Sequence, residues 1–123
     1  MADIRPNVQR MADQADGSIV KVTWNDLVTG NNVGVPVQFV QHADRCVEVR
    51  GTFNAAIVTI EGSNGGTAYY PLTKPDGNQA VFNNSAGIAQ ILENPLFIRP
   101  NVSTAANNMN LTVDLILRRQ FTR

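Results

Sequence analysis

The sequence predicts a single all-β domain, an antiparallel β-sandwich or barrel, and three observations support this fold class. The 123 residues fit one domain of ordinary size. Apolar residues alternate with polar ones over most of the length, which is typical of strands that bury one face. Clusters of Gly, Asn, Asp and Pro separate the alternating runs, as expected for turns between short antiparallel strands.

Four alternating runs define the clearest strands. Every second residue of a strand faces the same side, so one set in each run is expected in the core. The expected core residues are Val20, Val22 and Trp24, then Val47 and Val49, then Val58 and Ile60, and finally Leu111, Val113, Leu115 and Leu117. The segment 87–94 fits either a strand or a helical turn, because its large apolar residues also have helical spacing.

The first 17 residues differ from the rest of the chain. Their charged residues are interrupted by Ile4, Val8 and Met11, which fit neither the strand period nor the helix period. We therefore expect an extended N-terminal arm at 1–17, either ordered against a partner or frayed, and a sandwich domain at 18–123. The chain contains no apolar run of the length that a secretory signal or a membrane span needs, so we expect no membrane partner.

Residues suited to catalysis are few in this sequence. His42 is the only histidine and Cys46 the only cysteine, and zinc would need three or four ligands. There is no nucleophile elbow, no phosphate-binding loop and no dinucleotide fingerprint. Three carboxylates lie at turns or strand ends, but nothing selects two of them as a glycosidase pair. We expect no enzyme, no cofactor and no metal site, and we interpret 42–45 as a polar turn.

The charges of the chain are balanced overall but unevenly distributed. Ten basic residues match ten acidic ones, which is not the charge of a nucleic-acid-binding protein. The first 98 residues carry a formal charge of −3, from six basic and nine acidic residues, and residues 99–123 carry +3, from four basic and one acidic. Such a division favours contacts between protein subunits.

The order of several short motifs resembles one known family. The sequence contains "ADRCVEVRGTF", then "EGSNGG", then "KPDGN", then "ENPLFIRP", and ends in an aliphatic strand. This order is similar to that of the cement, or head-decoration, proteins of tailed bacteriophages, over about residues 18 to 119. The resemblance implies a jelly-roll sandwich of about eight strands that binds the outside of the capsid.

The resemblance also implies partners and a location. A cement protein would clamp neighbouring major capsid protein subunits and stabilise the DNA-filled head, since each bridge adds binding energy only in the assembled shell. It would be made in the host bacterial cytoplasm, reside on the virion and act as a homodimer or homotrimer. The residues expected at capsid or oligomer contacts are Ile4, Arg5, Val8, Met11, Tyr69, Arg118, Arg119 and Phe121.

A second hypothesis is a carbohydrate-binding module for adhesion to a host surface. The hairpin "VTIEGSNGGTAYYPLT" resembles turns of discoidin-type sandwiches, a family that includes sugar binders. Adjacent strand residues face opposite sides, so one of Tyr69 and Tyr70 is expected to face outward and the other inward. The module would use the two tyrosines and Trp24 for stacking, with Asn64 and Asn78 as hydrogen-bonding partners, although Trp24 is better interpreted as a core residue.

Overall fold

The protein is described by a computed structural model that covers residues 4–10, 19–104 and 108–119. These residues contain nine β-strands and no helix, which confirms the all-β prediction. The strands are β1 (Asn7–Arg10), β2 (Ile19–Leu27), β3 (Asp44–Thr52), β4 (Ile57–Ser63), β5 (Tyr70–Pro71), β6 (Val81–Asn83), β7 (Gly87–Ile91), β8 (Phe97–Thr104) and β9 (Asn110–Arg118). Among the described residues, no helix is long and apolar enough to cross a membrane.

The strands form two antiparallel sheets. The first sheet has five strands in the order β1-β2-β9-β3-β7. In the second sheet β4 is central, because β8 pairs along one of its edges and both β5 and β6 pair with the other. The segment 33–37 continues the second sheet beyond β8 through bridges from Val33 to Asn101 and from Val37 to Ile98.

This topology is that of a jelly roll. Four strands of the first sheet follow the order β2-β9-β3-β7, and the second sheet follows the order of segment 33–37, β8, β4 and then β5 with β6. A jelly roll has two four-stranded sheets joined in this alternating way. The connection from β7 to β8 therefore passes from one sheet to the other, as does the connection from β3 to β4.

The core lies between the two sheets and consists of the residues that alternation predicted. All the core residues named from the four runs are buried, and Trp24 is only 1% exposed. The indole Nε1 of Trp24 donates a hydrogen bond to the carbonyl oxygen of Val35 at 2.9 Å. The ambiguous segment forms strand β7 over Gly87–Ile91, and this strand pairs with β3. Of the two alternatives for this segment, the structure therefore has the strand.

The described part of the N-terminal arm is extended and lies along its own chain. Ile4 forms a parallel bridge with Gly34, and its backbone N–H donates to the Val33 carbonyl oxygen at 2.9 Å. Residues Asn7–Arg10 then pair with β2 as the edge strand of the first sheet. The described part of the arm thus contacts both sheets, and Asn7–Arg10 pair on one side with β2 of the same chain.

Candidate interaction surface

Three loops meet at one end of the sandwich. They are residues 38–43 before β3, 64–69 between β4 and β5, and 92–96 between β7 and β8. The strand registers place the strand residues that flank these loops side by side, because Arg45 pairs with Ile91 in one sheet and Ser63 pairs with Phe97 in the other. We call this region the Tyr70 end, after its most exposed aromatic residue.

Side-chain hydrogen bonds join the three loops of the Tyr70 end. The Asn94 Nδ2 donates to the carbonyl oxygen of Val40 at 2.8 Å, which ties the third loop to the first. The backbone N–H of Leu96 donates to Asn64 Oδ1 at 3.0 Å, which ties the third loop to the second. Each bond replaces a water contact of a loop backbone group, so the loops form one continuous surface.

The Tyr70 end is unusually apolar for an exposed surface. Six large hydrophobic residues are exposed among those described, and four of them lie here: Val40, Tyr70, Leu92 and Leu96. The Tyr70 side chain is 66% exposed and Leu92 is 54% exposed. Single exposed apolar residues are ordinary, but a group of them at one location is typical of a protein-binding surface.

A shallow cavity of about 630 Å³ lies within this surface. The Tyr70 ring borders it together with polar side chains, among them Asn64, Thr67, Glu93 and Asn94. Both carboxylate oxygens of Glu93 accept hydrogen bonds from Thr73, one from its backbone N–H and one from its hydroxyl. Burial alone would raise the pKa of Glu93, but these hydrogen bonds hold the pKa below its ordinary value. The cavity therefore carries a fixed negative charge at neutral pH.

The neighbouring Tyr69 has a different environment from Tyr70. The guanidinium carbon of Arg99 lies 3.7 Å from the centroid of the Tyr69 ring, which is a cation–π contact. The Arg99 Nε also donates to Glu61 Oε1 at 3.1 Å, and Asn101 Nδ2 donates to Glu61 Oε2 at 3.2 Å. Tyr69 is thus half-buried on the outer face of the second sheet, held by residues of β4 and β8.

A buried arginine supports the loop before β3. Asp44 and Arg45 belong to β3, so the prediction of a polar turn at 42–45 was wrong for these two residues. Arg45 is fully buried; its Nε donates to the His42 carbonyl oxygen at 3.1 Å and its Nη2 to the Phe39 carbonyl oxygen at 3.0 Å. Burial lowers the pKa of Arg45 to about 10. Its side chain therefore supplies donors to loop carbonyls that would otherwise be buried without a partner.

The predicted contact residues are spread over several places. Ile4 is partly buried against the core, whereas Arg5 and Val8 are exposed on the arm. Arg118 is exposed at the end of β9, where it pairs in register with Ile19 of β2 and Asp44 of β3. Two further predicted residues, Met11 and Phe121, lie outside the described part of the chain.

The two tyrosines differ from the expectation that one of them enters the core. Arg119 is half-buried just after β9. Tyr69 was the tyrosine predicted to meet a partner, but Tyr70 is the more exposed of the two, and neither belongs to the buried core. The last residues of β9 and β1 lie at the Tyr70 end. Arg118 pairs with Asp44, which directly follows the first loop of that end, and with Ile19, and the next residue, Val20, pairs with Arg10.

Sequence reasoning missed Val40, Leu92 and Leu96 as parts of this surface. The one available signal was that Leu92 and Leu96 flank "ENP", a turn sequence in which large apolar residues are more often exposed than in a strand. Val40 carried no such signal, because its position depends on the contact with Asn94 from a loop 54 residues away. Only the folded chain brings these residues together.

Comparisons with known proteins add no further assignment. No protein-family model, curated protein or solved structure matches this chain. Within residues 4–10, 19–104 and 108–119, no group of three or more His, Cys, Asp or Glu side chains could hold a metal ion. The functional argument therefore depends on the surface itself.

Proposed function

We propose that this protein is a structural virion protein that binds the outside of a bacteriophage capsid and clamps neighbouring major capsid protein subunits. The observation that carries the proposal is the concentration of exposed apolar residues at the Tyr70 end. Fully buried apolar groups at the centre of an interface supply most of the binding energy, and aromatic residues are prominent among them. The jelly-roll sandwich provides a rigid support for the three loops.

The fixed geometry of the loops also supports this function. Hydrogen bonds from Asn94 and to Asn64 hold the three loops together before any partner binds. A preorganised surface loses little conformational freedom on binding, so more of the contact energy remains as affinity. A protein that stabilises a capsid needs this property, because it contributes only the free energy of its binding to the assembled state.

The test is binding of purified protein to undecorated heads of the parent phage. We expect saturable binding and greater resistance of the heads to heat. The double substitution Tyr70→Ser and Leu92→Ser should weaken binding at least tenfold, because it removes two exposed apolar side chains worth about 1 kcal/mol or more each at an interface. Ala86→Ser, an exposed residue at the opposite end of the sandwich, is the matched control. Equal binding by both variants, or no binding to any head, would contradict the proposal.

One observation favours a second candidate, the carbohydrate-binding module. The exposed Tyr70 ring borders a cavity with Asn64, Glu93 and Asn94, and such a mixture of an aromatic ring with amides and a carboxylate suits a sugar. The rest of the set suggested for this function is dispersed, because Trp24 is in the core and Asn78 bonds to Asp76 in another turn. A glycan array should decide: hits that disappear in Tyr70→Ala favour the sugar, and an array without hits counts against it.

A further inference from the structure

The strand β7 forms one edge of the five-stranded sheet and has an unprotected outer side. Its residues Gly87–Ile91 pair with Val49–Arg45 of β3, and the register has no shift. Among the described residues, Gly87–Ile91 make no backbone hydrogen bond outside the ladder with β3, and Leu92, which follows the strand, donates to the Thr73 carbonyl oxygen. The outer side of β7 therefore presents a row of backbone donors and acceptors without a described partner strand.

The other sheet edges carry features that natural proteins use against unwanted pairing. A short strand, a proline or a charge on an edge prevents a second chain from adding to it. The segment 33–37 contains Pro36, β5 contains Pro71, and β6 and β1 have only three and four residues. The sequence of β7 is Gly-Ile-Ala-Gln-Ile, with neither a charge nor a proline.

The side chains of β7 add a second argument for pairing. Ile88 faces outward and is 69% exposed, the largest exposed fraction of any large hydrophobic residue that the structure describes. Beside it lies a groove of about 490 Å³ between β7 and the turn at residues 74–76, with Phe82 at its base. A strand edge next to such a groove is the arrangement by which proteins accept an added strand.

We propose that β7 pairs antiparallel with β7 of a second copy of this chain, so that the two five-stranded sheets join into one. This inference goes beyond the proposed function, which concerns binding to the capsid, and its evidence is the strand edge. The occupant is a second copy because an antiparallel pair of β7 strands is self-complementary: a two-fold axis sets the uncharged residues Ile88 and Gln90 of one copy against the same residues of the other. The groove rim carries Lys74 and Asp76, which interact with each other within one copy, and the chain has no net charge, so charge does not oppose the association of two copies.

The strand itself suits this symmetry. An antiparallel pair centred on Ala89 sets Ile88 of each copy beside Gln90 of the other and covers the exposed Ile88 side chain.

The groove-rim carboxylate of Asp76 accepts a hydrogen bond from the backbone N–H of Asn78 at 2.9 Å, and this bond lowers the Asp76 pKa. The carboxylate thus remains charged over the whole neutral pH range.

The experiment is sedimentation of the full chain over a wide range of concentrations. The wild type should show a monomer–dimer equilibrium, and Ile88→Lys should raise the dissociation constant at least tenfold by placing a charge on the paired edge. Asn7→Lys is the matched control, because Asn7 is an exposed residue of β1, the opposite edge of the same sheet, and is not among the predicted contact residues. It should leave the equilibrium unchanged.

A second measurement needs no substitution. Backbone amides of Gly87–Ile91 in the wild type should exchange with deuterium more slowly at high protein concentration, while those of β1 should not change. A chain that is monomeric throughout, with exchange in β7 independent of concentration, would overturn the proposal and leave the edge to a partner of another sequence. An oligomer whose mass is equally unaffected by Ile88→Lys and Asn7→Lys would also overturn it. Head binding is read separately, so a dimer that binds no head contradicts only the proposed function.

Discussion

Substituting Gly62 by alanine tests whether close packing at this glycine holds the Tyr70 end together. A Cβ atom at this position would lie 2.4 Å from Pro95 Cγ and 2.8 Å from Leu72 Cδ2. Carbon atoms in contact are normally about 3.5–4.0 Å apart, so the third loop would have to move. Overpacking of this kind costs about 1–3 kcal/mol. Alanine also restricts the unfolded chain, which returns about 0.4–1 kcal/mol, and the net destabilisation is therefore about 1–2 kcal/mol.

The matched control is Gly65→Ala in the neighbouring loop. A Cβ atom at Gly65 would meet nothing within 4 Å, and the residue does not have a positive φ. This substitution should therefore be neutral or slightly stabilising. Urea denaturation followed by Trp24 fluorescence measures both variants, and thermal unfolding should show a lower Tm for Gly62→Ala by roughly 4–8 °C. Equal stability of the two variants would refute the packing argument.

Three further predictions concern the core, a carboxylate and the outer face of the first sheet. Trp24→Leu should lower the free energy of unfolding by about 3 kcal/mol, measured by circular dichroism in guanidinium, because it leaves a cavity and an unbonded Val35 carbonyl. The carboxylate of Glu93, whose pKa is lowered, stabilises the fold above its unfolded pKa of about 4.5 and loses this effect as the pH falls through its folded pKa. The Tm of the wild type should thus drop more than that of Glu93→Gln on acidification from pH 6 to about pH 3. Asp114 is buried, accepts a hydrogen bond from the Thr23 hydroxyl at 2.7 Å and forms an ion pair with the half-exposed Arg50. Asp114→Ala should therefore lower the free energy of unfolding, measured by urea denaturation, by about 1–2 kcal/mol. An unchanged urea midpoint would contradict this role of Asp114.

The core could be predicted from the sequence because it depends on a local period. In β9, Leu111, Val113 and Leu115 share one face whatever strand lies beside them, and all three are buried. The pairing of strands is not local, which explains why segment 87–94 stayed ambiguous. Ile88 and Ile91 fit a helical turn by spacing, and only the ladder with β3 decides that Ile91 is buried and Ile88 is exposed.

The candidate surface was harder to predict than the fold. The strand rule predicted that Tyr69 and Tyr70 differ in orientation, but the choice between them depends on Arg99, which is 30 positions further along the chain than Tyr69. The cation–π contact covers Tyr69 and leaves Tyr70 as the exposed ring. The sequence of a strand predicts which residues lie on the same face of the sheet. The side chains that cover those residues come from strands that are distant in sequence.

The two proposals together give a way in which so small a domain would clamp two capsid subunits. Strand β7 runs from Gly87 toward Ile91, and its last residue leads directly into the loop that carries Leu92 at the Tyr70 end. If two copies pair antiparallel through β7, their Tyr70 ends must lie at opposite ends of the joined sheet. Under the proposed function, a single sandwich would hold one capsid subunit through its Tyr70 end, whereas the proposed dimer would have two such ends and would contact two subunits at once. The second contact then forms at a high effective concentration, so modest affinity at each Tyr70 end is sufficient for firm attachment to the shell.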